Sequence, residues 1–260
     1  MDKVNEAYKS EAKNYFNTKA FDYYSMHYGD VNNKKKYPSL YLRHQYILKM
    51  LEGCKGKVLD IGCGAGIMVK DLLDRGFSVH ASDFAPNMVE ATKEITMNHQ
   101  GEVSFSQEDI EGMSFNDNEF DYIVCAGVLE YLSKDDKALD EVARVLKPNG
   151  TAIITVPNKL SPALYADKLA RFVLPKSVVE RITTFNLHRE HNPRELEEAL
   201  KKRGLVKEDF AYFHFYPIPV PFDRFLPKFS VSVGKKMERW SKSRLGILGT
   251  GHIIKVRKRV

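Results

Sequence analysis

Between residues 57 and 156, short apolar runs alternate with stretches whose apolar positions repeat at helical spacing. Lys57–Asp60, Ser78–Ser82, Val103–Gln107, Phe120–Ala126 and Thr151–Val156 read as strands. Helices are predicted over Ile67–Arg75, closed by Gly76, over Pro86–Thr96 with proline in the first turn, and over Lys134–Leu146. Lys147-Pro-Asn-Gly150 reads as a turn. Apolar strands alternating with helices predict an α/β fold: a mostly parallel, Rossmann-like sheet covered on both faces.

The flanks follow a different pattern. Residues 1–50 are rich in aromatics, and helices fit Glu6–Thr18 and Ser39–Leu51, which suggests an N-terminal helical lid ahead of a domain spanning 51–260. Two segments, 159–185 and 216–251, break the alternation and read as insertions or lid pieces within that domain. Pro193–Arg203 is a strong helix with Asn192 as its N-cap and Gly204 as its stop, and Leu205–Phe215 and Ile253–Val260 are the final strands.

Composition narrows the class. The chain has 260 residues, 43% hydrophobic and 28% charged, enough for one elaborated globular domain. No apolar run reaches the roughly 18 residues of a membrane span, and Met1–Ser10 is polar, unlike a secretion signal. Cys54, Cys63 and Cys125 have neither disulfide nor zinc spacing, so a cytoplasmic setting is expected. The net charge of +6 is uneven: residues 217–260 carry 11 Lys/Arg against 2 Asp/Glu, leaving 29 against 32 in residues 1–216. A basic, aromatic C-terminal segment suits either an ordinary solvated face or peripheral contact with anionic membrane. Nucleic acid is a weaker reading because no RNA-binding module is evident. Nothing in the sequence decides the oligomeric state.

The chemistry concentrates where the first strand passes into a helix. Asp60 precedes Gly62, Gly64 and Gly66, glycines that let the backbone turn tightly and approach a ligand, with the free amides of a helix N-terminus beyond them. A dinucleotide fingerprint places its third glycine one position later, at Ile67. Asp83 ends the second strand, where a carboxylate can hold ribose hydroxyls, and Asp109 with Ile110 follows the third, placed for an adenine amino group and ring.

These motifs resemble the class I S-adenosylmethionine-dependent methyltransferases, and most of all the methyltransferase type 11 group that includes ubiquinone-biosynthesis O-methyltransferases. The matching pieces are VLDIGCGAG, SDFAPNMVEAT, QEDIEGMSF, FDYIVCAGVLEYL, LKPNGTAIITVPN and HREHNPRELEEALKKRGL, close over residues 57–158 and looser over 186–210. The resemblance implies a seven-stranded sheet of order 3-2-1-4-5-7-6 with strand 7 antiparallel. It implies S-adenosyl-L-methionine as cofactor and S-adenosyl-L-homocysteine as product. By position it implies that Asp60 braces the loop near the methionine amino group, that Gly62, Gly64 and Gly66 pass the cofactor, and that Asp83 grips ribose. Phe84 and Met88 fall in the adenosine strip, Asp109 and Ile110 frame adenine, Ala126 lies beside the methionine part, and Arg43 reaches the cofactor. Where relatives often have Leu-Glu-His after strand four, this chain has Tyr131 in place of the histidine that metal-assisted catechol chemistry draws on, so no metal is expected.

Methyl transfer from a sulfonium is an in-line displacement, so holding acceptor, methyl and sulfur in line is the protein's main task. A hydroxyl acceptor must also lose a proton, a role suited to histidine. His188 and His191, just before the Pro193 helix, are the leading bases, with Tyr131 and Glu130 as acceptor-orienting groups and His27 and Tyr28 as lid residues. Cys63 reads as a small loop filler and Cys125 as core, while His44, His80, His99, His214 and His252 carry no assignment. The expected reaction is methylation of a small lipophilic acceptor at a hydroxyl oxygen. N- or C-methylation of a small molecule and RNA methylation remain open, as do a nicotinamide-dependent oxidoreductase and a non-catalytic cofactor-binding protein.

Overall fold

The structure is a computed structural model and describes residues 3–28, 38–173, 189–218 and 225–259. Seven strands form one sheet: β1 Lys57–Ile61, β2 Ser78–Asp83, β3 Val103–Gln107, β4 Phe120–Ala126, β5 Leu146–Pro157, β6 Leu205–Phe213 and β7 Gly251–Lys258. Their order is β3-β2-β1-β4-β5-β7-β6; β7 runs antiparallel to β5 and β6, and the other pairs are parallel. Because β7 reverses, β6 again points the same way as β1 to β5. The carboxyl ends of six strands therefore share one edge, the edge where open α/β sheets hold ligands.

Alternation along the strands supplies two cores. Leu59, Ile61, Ile123 and Ile154 face α5 (Asp136–Val145) and α7 (Pro193–Lys201), burying Leu139, Val142, Leu196 and Leu200. Val58, Val79, Val124 and Ile153 face α2 (Ser39–Met50) and α3 (Ile67–Asp74), burying Ile47, Leu48, Val69 and Leu72. The α2 half of the expected N-terminal lid is thus built into the body, and Lys255 Nζ donates to the Met50 carbonyl at its C-terminus (3.0 Å). The remaining helices are α1 (Lys3–Tyr28), α4 (Pro86–Thr96), α6 (Pro162–Val173) and α8 (Pro227–Met237). Asn192 caps α7 as expected, accepting from the Arg194 amide (3.1 Å).

Three expectations need correction. α1 runs well past Glu6–Thr18 because it docks on α4 and the β2–α4 corner, with Phe16 and Ala20 packed against Ala85 and Met88. Residues 147–150 are not a free turn: β5 begins at Leu146, pairs with Phe120, and swells outward before Thr151 pairs with Tyr122, with Asn149 in the left-handed region (φ 63°). Of the insertion at 159–185, α6 accounts for Pro162–Val173, and residues 174–188 lie outside the described residues.

Candidate active site

The carboxyl edge of the sheet opens into a cavity of about 760 Å³, toward the upper end of the usual range for ligand sites. It runs from Phe84, Asp109 and Ile110 at one end, past the loop after β1, to Tyr131, Leu164, His214 and Tyr216 at the other. Arg43, Asp60, Gly62, Gly64, Asp83, Met88 and Ala126 also line it. Gly66 does not. It has φ 77°, and a Cβ there would come within 3 Å of Ile95 and Thr92, so its role is to let the start of α3 lie against α4. At Gly64 a Cβ would meet no protein atom within 4 Å, which leaves the loop's inner surface clear for a ligand.

The two acids at the centre differ in how their oxygens are used. Asp83 accepts from the Gly64 amide (3.0 Å) and the Ala85 amide (2.8 Å), so the loop bracing expected of Asp60 is done by Asp83. Burial raises the Asp83 pKa to about 6, with those amides pulling the other way. Asp60 is buried, and its Oδ2 receives no hydrogen bond within the described structure. Burial, helped by the nearby Asp83 charge and opposed by Arg43, pushes Asp60 up to about 7. A buried acceptor oxygen without a donor, on a cavity wall, fits a cationic amine such as the α-ammonium of the methionine part of the cofactor.

Of the two histidines expected as bases, one falls among the described residues. His188 lies outside the described residues. His191 is buried away from the cavity lining: Nε2 meets Asp135 Oδ1 (3.2 Å), its amide donates to Pro157 O and its carbonyl accepts from Lys159 N (both 2.9 Å). Those bonds pin the segment before α7 alongside the end of β5, and Arg189 also pairs with Asp135. Two histidines among the described residues line the cavity, His44 on α2, which pairs with Asp71 (2.6 Å), and His214, immediately after β6. The signal for His214 was positional: a polar residue leaving the carboxyl end of a strand parallel to β1–β5.

His214 sits at φ 62°, a costly conformation for a side chain of its size. Its amide donates to Glu238 Oε1 (2.9 Å), Glu238 Oε2 accepts from Tyr46 on α2 (2.9 Å), and the Thr250 amide donates to its carbonyl (3.0 Å). Thr250 Oγ1 lies 3.0 Å from both that carbonyl and His214 Nδ1. A hydroxyl has one proton and the carbonyl only accepts, so both contacts are favourable when the hydroxyl donates to the carbonyl and Nδ1–H donates to the hydroxyl. Nε2 then carries the lone pair. Burial pulls the ring's pKa down to about 3, so it is neutral at ordinary pH.

A glycine loop, acids after three successive strands and a cavity across the carboxyl edge define a nucleotide-binding α/β enzyme. Residues 59–154 match the family model described as methyltransferase domain, Methyltransf_11. The chain is an S-adenosylmethionine-dependent methyltransferase with a type 11 methyltransferase domain. The ubiquinone biosynthesis O-methyltransferase of Coxiella burnetii is 28% identical over 200 residues, covering 74% of this chain and 83% of that protein. Its counterpart in Xanthomonas axonopodis pv. citri is 27% identical over 180 residues, covering 68% and 73%. Among solved structures, magnesium protoporphyrin IX methyltransferase (ChlM) from Synechocystis PCC 6803 with bound SAH superposes with a TM-score of 0.67 at 16% identity, covering 97% of this chain and all of that one. The [4+2]-cyclase SpnF superposes at 0.58 and 18% identity, covering 88% and 85%. At such identities the likeness concerns the fold alone, and the cyclase illustrates that the fold does not fix the chemistry.

Proposed function

We propose that this enzyme methylates a hydroxyl oxygen of a small, lipophilic, phenol-like acceptor, as the names of its relatives suggest for ubiquinone biosynthesis. The observation that carries the reading is one continuous cavity, with the buried Asp60 oxygen midway and an aromatic, histidine-bearing chamber beyond it. When bound, S-adenosylmethionine supplies an electrophilic methyl group. Asp60 and Arg43 hold the two charged ends of its methionine part. Gly62, Gly64 and Ala126 let it pass close to the backbone, Asp83 takes the ribose hydroxyls with its remaining lone pairs, and Phe84, Met88, Asp109 and Ile110 hold adenosine. Gly66 serves this site through the α3–α4 packing.

Tyr131 and His214 orient the acceptor. As the new carbon–oxygen bond forms and the carbon–sulfur bond breaks, the acceptor oxygen becomes cationic and its proton strongly acidic, so even the weakly basic His214 is able to take it once its buried Nε2 is opened to the chamber. His214→Ala is expected to slow turnover about 10²-fold while S-adenosylhomocysteine affinity holds. His191→Ala is expected to lower thermal stability instead. A larger turnover loss in His188→Ala than in His214→Ala would transfer the base role to His188. The acceptor class is tested with a methyl-labelled cofactor and a panel of lipophilic phenols, amines and short RNAs. Label on nitrogen, on carbon or in RNA would overturn O-methylation.

The basic apolar surface also favours peripheral lipid contact. Phe225, Leu226 and Phe229 are exposed at the start of α8, which carries Lys228, Lys235 and Lys236. Among the described residues no helix is long and apolar enough to cross a membrane. Lys235→Glu is expected to reduce co-sedimentation with phosphatidylglycerol vesicles, and equal binding would remove the idea.

A further inference from the structure

α1 reaches both ends of the cavity. At the nucleotide end, Lys9 Nζ lies 2.9 and 2.6 Å from the two oxygens of Asp109 and also pairs with Glu111. Lys13 stands over the Phe84 ring (4.7 Å from Nζ to the centroid). Next to Phe16 along the helix, Asn17 accepts two hydrogen bonds of 3.1 Å from Asn87 at the start of α4, its side-chain oxygen from the backbone amide and its carbonyl from the side-chain amide. At the acceptor end, Phe16 packs edge-to-face on Tyr131, with centroids 5.0 Å apart. One helix therefore joins the adenine carboxylate to the acceptor-orienting tyrosine.

The Lys9 contacts are not an ordinary surface ion pair. The lysine side chain is 14% exposed and that of Glu111 10%, so salt screens them less than it would solvated charges. One ammonium serves two carboxylates, and removing it leaves both without that cation. Asp109 Oδ1 also accepts from the Glu111 amide (3.0 Å), so Lys9 and the backbone together fix the plane of the carboxylate. A carboxylate has about four lone-pair sites, and the partly exposed Asp109 keeps acceptor capacity for an exocyclic amine.

We propose that Lys9 is a positioning residue that makes docking of α1 part of nucleotide binding. Docked through Lys9, α1 roofs the adenine, orients Asp109 toward it and sets Phe16 against Tyr131, so the acceptor chamber takes its final shape only with the helix in place. The acceptor then binds after the nucleotide, and the spent nucleotide leaves only when the Lys9 pairs break. This rests on the reading of Asp109 as the adenine residue.

The test is stopped-flow dissociation of S-adenosylhomocysteine from the full chain. Lys9→Met keeps the aliphatic stem and is expected to release the nucleotide about tenfold faster, because losing one partner of a partly buried charge pair acts mainly on dissociation. Its acceptor KM is expected to rise more than its kcat falls. Lys9→Arg restores the wild-type rate to within about threefold, since it keeps the charge in a different geometry. Raising salt from about 0.05 to 0.5 M speeds release from the wild type and has little effect on Lys9→Met. A merely stabilising lysine would shift melting and leave the dissociation rate and its salt dependence unchanged, and that result overturns the proposal. Binding of an S-adenosylhomocysteine analogue with a dimethylated adenine amine tests the Asp109 reading separately. Wild-type affinity for that analogue equal to its affinity for the parent would overturn the adenine assignment, whatever Lys9→Met does.

Discussion

Asp60→Asn is expected to yield a chain that resists heat better than the wild type above pH 7 and scarcely binds S-adenosylhomocysteine. In the native state Asp60 holds its proton up to about pH 7, whereas an unfolded aspartate releases it near 4. Between those values the native state binds more protons than the unfolded one, so stability falls as pH rises. The unpaired charge thus costs the ligand-free enzyme up to roughly 4 kcal/mol at high pH. An asparagine amide also needs partners, which trims the net gain to about 1–2 kcal/mol. Melting curves at pH 5 and pH 8 check this, because the advantage of the variant should shrink at the lower pH, where Asp60 is protonated. The loss of a charged partner for the methionine ammonium is expected to weaken binding by on the order of 10²-fold. By the same linkage, wild-type affinity should fall up to about tenfold per unit below pH 7. A variant no more stable than the wild type, or one that binds normally, would show that Asp60 is not a charge kept waiting for a cation.

Asp83→Ala should damage both stability and binding. It removes the acceptor of the Gly64 and Ala85 amides, leaving buried donors unpaired at a cost of about 1–3 kcal/mol each. The loop whose shape depends on those bonds is the one proposed to carry the cofactor. S-adenosylhomocysteine affinity is therefore expected to fall on the order of 10²–10³-fold, from the ribose contacts and the loosened loop together. Urea unfolding and calorimetric titration separate the two effects. Reduced stability with unchanged affinity would leave Asp83 as a brace and end its assignment to ribose.

Much of the fold was legible because the strands carry their own signal. Strand-like runs at 57–60, 78–82 and 120–126 and helical periodicity at 86–96 needed no tertiary information, and the motif resemblance supplied the order of the sheet. What depended on contacts between distant segments was not legible. Residues 147–150 look like a turn by composition, yet pairing on both sides draws them into β5. The length of α1 comes from its seat on α4. In the site, acids at strand ends could be placed by counting, but how their oxygens are spent could not, and bracing passed from Asp60 to Asp83. The histidine expectation followed proximity in sequence to α7. The proposal for His214 rests instead on the parallel direction of β6 and on a backbone conformation held by Glu238 and Thr250.

The anchoring of α2 by Ile47, Leu48 and the Lys255 contact has a consequence for how the enzyme handles its cargo. Arg43 rides on a helix packed into the body of the sheet, while α1 opposite it is held by a few polar clasps and a small apolar seat. On the proposed roles, small molecules enter and leave by the parting of α1 alone, and the arginine assigned to the methionine part keeps its alignment to the sheet. Substitutions along α1 are then expected to tune both the speed of that parting and the fit of the acceptor, while the methionine end of the site keeps its place.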